Sequence, residues 1–286
     1  MTSNEHNESK VPTIKWAGRE WLVRDNSWKP GGPIASHSWN ASNVQPLGES
    51  LSLTTKMVDG KATGAEIVSK EPMGYGRYSF SFDVNTADFD QYAIFGAFTF
   101  DWDPEAKPGF SEVDAVEISK WGNAKAKSPI AKFTHYVDNK PEGTSEHCED
   151  LPEKTSFIQR TVIMDWSPGK ITRAVKDHYG NILHSSEITK SVPKPTDTTQ
   201  FHFNVWAYGL PDAQTECKKF TAYVTDFTYT PASQKQLAPS TPSLPAPKGT
   251  DASASVPDDG SIAVFGTVDK RKFTAKLKLI EVKTIN

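Results

Sequence analysis

Along most of the chain, every second residue is apolar, in short runs bounded by Gly, Pro, Asn or Asp; the 3.6-residue period of helices is almost absent. The runs are Leu51–Met57, Tyr78–Val84, Tyr92–Trp102, Glu112–Ser119, Ala131–Val137, Arg160–Trp166, Ile171–Lys176, Phe201–Tyr208 and Phe220–Tyr229. Side chains of an extended strand point to alternate faces, so each run reads as a strand with one face in a core. Strands at this spacing without intervening helices predict an all-β sandwich of antiparallel sheets.

One such domain runs from residue 11 to residue 231. Residues 1–10 are polar and read as a disordered tail, not as a signal peptide. Residues 232–260 are rich in Pro, Ser, Ala and Lys and read as a linker. Residues 261–286 alternate again through Ile262, Val264, Phe273, Ala275, Leu277 and Leu279, enough for a short β-hairpin but not for a core of its own.

Function classes narrow on composition. A formal charge of −3 with no dense cluster of Lys and Arg argues against a nucleic-acid partner. Apolar runs are too short to span a bilayer, so no membrane partner is expected. Cys148 and Cys217 are the only cysteines; neither has metal-ligand spacing, and they could pair with each other. The chain holds 8 Trp, 8 Tyr and 15 Phe, a set that serves core packing and also suits stacking on flat ligands such as sugar rings.

The segment Ser111–Ser119 carries three acids, Glu112, Asp114 and Glu117. Alternation puts Glu112 and Asp114 on one face but Glu117 on the other. One extra residue, a β-bulge near Ala115–Val116, would return Glu117 to the face of its neighbours. Three carboxyls so placed repel one another unless protons and hydrogen bonds relieve them. That crowding suits glycosidic cleavage with retention, which needs one ionised and one protonated carboxyl about 5–5.5 Å apart. A solvated acidic edge strand would show the same residues without the chemistry.

The segment resembles the E-x-D-x-x-E active-site motif of glycoside hydrolase family 16 in its laminarinase-like form. Other stretches match that family in order: Gly64 to Val68, Gly74 to Tyr78, Asp165 to Ile171, Phe201 to Trp206 and Val224 to Tyr229. The resemblance implies a β-jelly-roll with a concave substrate cleft, and a retaining endo-acting hydrolase of β-linked polysaccharide (β-1,3-glucan, mixed-linked glucan or galactan). It implies Glu112 as nucleophile, Glu117 as general acid/base and Asp114 as the assisting acid, with no cofactor needed for catalysis. The family often has Arg where this chain has Val68. The resemblance also implies an extracellular or periplasmic monomer, and a structural calcium ion away from the chemistry, on Asp226 with backbone oxygen near Gly48.

Parity extends the cleft to neighbouring strands. With the bulge, Ser119 and Trp121 join the acids. His202, Asn204, Trp206 and Tyr208 share one face opposite Phe201, Phe203 and Val205, and Thr134 and Tyr136 oppose Phe133 and Val137. Substrate contacts are therefore expected from Trp121, Thr134, Tyr136, Asn204 and Trp206, and from Glu66 on an adjoining strand. His135 and His202 read as hydrogen-bonded structural residues. A lectin-like binding sandwich and a transglycosylase using the same residues are the alternatives.

Overall fold

The computed structural model describes residues 11–30, 38–102, 111–136, 143–207, 216–233, 253–255, 262–268 and 271–277. Sixteen strands of the first compact unit, residues 1–238, form two antiparallel sheets. In chain order they are β1 (Thr13–Trp16), β2 (Arg19–Val23), β3 (Val44–Leu47), β4 (Ser50–Val58), β5 (Lys61–Thr63), β6 (Ala65–Ser69), β7 (Gly76–Val84) and β8 (Ala93–Phe100). Then follow β9 (Val113–Ser119), β10 (Ile130–His135), β11 (Thr144–Asp150), β12 (Ile158–Ser167), β13 (Lys170–Lys176), β14 (Ile182–Ile188), β15 (Gln200–Ala207) and β16 (Phe220–Pro231). The first sheet runs β1-β2-β6-β15-β8-β9-β10-β11; the second runs β14-β13-β12-β7-β16-β4-β3, with β5 paired to β4.

Alternation explains how the sheets meet. Tyr78, Phe80, Phe82 and Val84 on β7 are buried and face Phe201, Phe203 and Val205 on β15. Tyr78 stacks on Phe201 with centroids 5.1 Å apart, and Phe80 meets Phe203 edge-on at 5.2 Å. This aromatic layer makes the sandwich one core and leaves the other face of the first sheet for a site. All nine runs expected as strands are strands, and the fold is the expected jelly-roll sandwich.

Cys148 and Cys217 are free thiols. Among the described residues no helix is long and apolar enough to cross a membrane. The N-terminal tail, residues 1–10, lies outside the described residues, as does most of the 232–260 stretch. The second unit, residues 239–286, holds a three-stranded antiparallel sheet of β17 (Ser253–Ser255), β18 (Ile262–Val268) and β19 (Arg271–Leu277).

Candidate active site

Strand β9 carries the bulge that parity requires. On the β8 side Glu117 pairs with Gly96 and Val116 with Ala97, but the next pair is Asp114 with Phe98, which leaves Ala115 unpaired. On the β10 side Glu117 pairs with Lys132 and Asp114 with Thr134. Ala115 and Val116 are both buried, alongside Val113 and Ile118 in the core. The extra residue thus absorbs the parity change, and Asp114 and Glu117 both align with cleft-face residues of β8 and β10.

Crowding sets the electrostatics. Burial, reinforced by the Glu117 charge, raises the Glu112 pKa to about 8. Burial and both glutamates push Asp114 well above the usual carboxylate range, against a smaller pull from Arg173. Glu117 is also raised by burial, but the Thr134 hydroxyl, which donates to Oε2 at 3.1 Å, and the charge of Lys132 oppose the rise. These three groups titrate as one coupled set, so the cleft holds protons at neutral pH that isolated carboxylates would have lost.

The other expected residues gather around the triplet. Tyr136 donates its backbone N–H to the Glu112 carbonyl at 3.1 Å, and its phenol feels all three acids. Asn204 pairs with Gly96 on one side and Glu66 on the other, so one row across the sheet reads Glu66, Asn204, Gly96, Glu117, Lys132. Trp206 packs with Trp39 and Ile94, and Trp121 lies against that cluster. The floor is closely packed: Trp206 is only 8% exposed. Tyr208 and Val137 lie outside the described residues.

Glu66 corrects an expectation. It is 1% exposed, and both its oxygens are engaged, Oε2 by Arg24 Nη1 at 2.7 Å and Oε1 by His202 Nδ1 at 2.6 Å. Its carboxylate therefore organises the cleft floor and has no free oxygen to offer a sugar hydroxyl. Burial alone would raise its pKa, yet Arg24 and His202 together hold it below the ordinary value. Arg24, just past the end of β2, lies 4.6 Å from the ring centroids of both Trp39 and Trp102. His202 is structural, as its sequence context suggested.

Arg173 was not legible as a site residue. It stands on β13 of the opposite sheet, 2% exposed, and reaches through the core to the back of the bulge. Its Nη1 donates to the backbone carbonyls of Asp114 at 3.1 Å and Thr134 at 3.0 Å. A buried Arg in an otherwise apolar alternation (Ile171, Arg173, Val175) was the available signal. Gly96, inside the apolar run Ala93–Phe100, was a similar signal of close backbone approach.

Gly48 and Asp226 lie apart from the triplet's strand. They line one groove with Lys15, Arg19, Glu49 and Thr225, where the β1–β2 turn meets the β3–β4 turn and β16. Strand β16 has its own register shift between Val224 and Asp226, beside the end of its pairing with β4. Among the described residues no group of three or more His, Cys, Asp or Glu is arranged to hold a metal ion. The groove is lined by the carboxylates of Asp226, Glu20, Glu49 and Glu71 beside the cations Lys15 and Arg19, and its carboxylate and backbone oxygens are hard donors that suit calcium and not a softer metal.

No protein-family model matches the sequence, and no curated protein matches it. Solved structures do match. A β-glucanase of Bacillus licheniformis superposes with a TM-score of 0.55 at 17% identity, over 78% of this chain and 97% of that one. A β-1,3-1,4-glucanase (lichenase) from a mouse hindgut metagenome gives 0.52 at 19% identity, over 74% of this chain and 93% of that one. The endo-β-1,3-glucanase of Pyrococcus furiosus gives 0.52 at 15% identity, over 78% of this chain and 100% of that one. The chain shares their jelly-roll fold.

Proposed function

We propose that this chain is an endo-acting hydrolase of a β-linked polysaccharide, retaining in stereochemistry, with Glu112 as nucleophile, Glu117 as acid/base and Asp114 as the assisting acid. The observation that carries this reading is the bulge at Ala115, which lines up three carboxyls whose crowding keeps protons in the cleft. A lectin gains little from crowded acids, whereas double displacement needs them in unequal protonation states. The fold shared with enzymes named as β-glucanases supports a β-1,3- or mixed-linked glucan, with galactan as a further candidate.

In this mechanism Glu117 protonates the glycosidic oxygen while Glu112, having first given up the proton that burial and the Glu117 charge hold to about 8, attacks the anomeric carbon, and the leaving sugar departs. Glu117, now ionised, takes a proton from water, which displaces Glu112. The Thr134 hydroxyl and Lys132 favour ionised Glu117 and so ready it to give up its proton. Asp114, whose pKa burial and both glutamates raise well above the usual carboxylate range, keeps its proton and so adds no third negative charge beside the pair.

Reducing-sugar release across a panel of purified glycans, with nuclear magnetic resonance of the fresh product, tests the reading. Retention at the anomeric carbon is expected, and inversion overturns the two-glutamate roles. If no glycan is cut, and Glu112→Ala and Glu117→Ala bind as well as the parent, the lectin-like reading replaces this one.

The same proposal makes the protein a monomer acting outside the cytoplasm, with one calcium ion on Asp226 and backbone oxygen near Gly48. Calcium contributes to stability here and to no chemical step. Chelation should lower the melting temperature of the parent and leave that of Asp226→Ala unchanged.

A further inference from the structure

Between Glu117 and Asp138 the sequence carries four lysines, Lys120, Lys125, Lys127 and Lys132, and no Asp or Glu, in a chain whose formal charge is −3. These residues form the end of β9, the β9–β10 connection and β10, so the positive strip borders the acid triplet. Among the described residues none of the four lysines makes an ion pair. Other surface Lys and Arg do find carboxylates, such as Lys70 with Glu20 and Lys170 with Glu187.

Lys132 is the informative member. It is the register partner of Glu117, yet its ammonium makes no salt bridge with that carboxylate and sits 4.5 Å from the Trp121 ring centroid. Trp121 in turn packs against Trp39, Ile94 and Trp206 on the cleft floor. The ring that would stack on a sugar therefore bears a partly exposed cation on its face. A neutral sugar would have to displace that ammonium to use the ring. A sugar with a negative substituent would meet an aromatic surface and a positive charge together, and the remaining lysines would extend the field along the strip. An anion brought near three carboxyls is otherwise repelled, so a compensating cation beside Glu117 has a clear use.

We propose that Lys132 over Trp121 forms a subsite for an anionic sugar, one bearing a carboxylate (uronic acid) or a sulfate ester, next to the bond being cleaved. This rests on the hydrolase reading for its place in a reaction, but not for its binding chemistry.

The test uses the full chain with matched oligosaccharides that are neutral, uronate-bearing or sulfated on the same β-linked backbone. Glu117→Gln serves for calorimetric binding and the parent for kinetics. Binding of at least one anionic form should exceed that of the neutral form by about tenfold, the scale of one charge-assisted hydrogen bond. That preference should shrink with added salt. In Lys132→Gln the ratio of anionic to neutral affinity should collapse towards one, and Lys132→Arg should restore part of it. The carboxylate and sulfate arms identify which anion the subsite takes. Equal or tighter binding of the neutral form, or a ratio unmoved by Lys132→Gln, overturns the proposal and leaves the hydrolase reading standing. Anionic preference without cleavage by the parent overturns the hydrolase reading and leaves the subsite standing.

Discussion

The amide of Asn204 stands where a side chain on Gly96 would be: its Oδ1 lies 2.7 Å from the position of a Cβ on that glycine. Gly96 is the register partner of Glu117, so its missing side chain lets Asn204 lean across β8 toward the acid/base. Asn204 Oδ1 is buried and has no protein partner among the described residues, which leaves it for a sugar hydroxyl or a water.

Gly96→Ala should therefore act on the site before it acts on the fold. A methyl group at that distance forces Asn204 aside, and kcat/KM should fall about tenfold or more, since small misplacements near reacting groups are expensive. Circular dichroism should stay that of the parent. Undiminished activity would remove Asn204 from the substrate contacts.

Glu112→Gln should abolish turnover and yet stabilise the protein at alkaline pH. The sign follows from the raised pKa. Unfolded, Glu112 ionises near its ordinary value of 4.5, whereas folded it holds its proton to about 8, so stability drains away between those values. The variant lacks that loss, and its gain at pH 8 should be about 1 kcal/mol or more, disappearing toward pH 4. Equal denaturant midpoints at pH 8 would contradict the repulsion described here. Removing the Glu117 charge in Glu117→Gln should lower the Glu112 pKa from about 8.

Glu66→Ala is expected to be a stability mutant first. It leaves the Arg24 guanidinium and the His202 ring in the cleft floor without their carboxylate, and breaking a buried pair costs about 3–5 kcal/mol. Because the Glu66 pKa is lowered, its contribution is complete above the unfolded value near 4.5 and is lost as pH falls through the folded value. A melting temperature within a degree of the parent at pH 7 would show that Glu66 is not the organiser of that network.

Arg173→Met tests the support behind the bulge. A side chain of similar length keeps the core filled but withdraws the donor from the Asp114 and Thr134 carbonyls. Turnover should fall about tenfold or more while KM changes little, and the alkaline limb of the pH profile should shift upward, because Asp114 acts with its proton on and the guanidinium lowers its pKa. Arg173→Lys, which keeps the charge, should recover part of both. A simple loss of folded protein without a shifted profile would make Arg173 a packing residue only.

Much of this arrangement was readable from parity. Strands with one apolar face were visible because burial alternates along them, as in Gly76–Val84. The bulge was visible because Glu112, Asp114 and Glu117 share a face only if one residue is absorbed. Edge strands β11 and β14, with no fully buried residue in either, carry no apolar stripe and gave no signal. Glu66 was found as a cleft residue, but its partners Arg24 and His202 come from distant parts of the chain, so its saturation was not readable. Arg173 and Lys132 depend on which strands become neighbours, a property of topology that no local pattern carries.

The bulge at Ala115 also bears on inheritance. Loss of that one codon would leave Glu-Val-Asp-Val-Glu, in which plain alternation again sets all three carboxyls toward the cleft. Elsewhere in a half-buried strand, gaining or losing one residue swaps inside for outside and ruins the gene product. Here the reading of faces survives either length, so this strand is one of few places where a three-nucleotide insertion or deletion in the gene could persist and alter the spacing of the acids without dismantling the sheet.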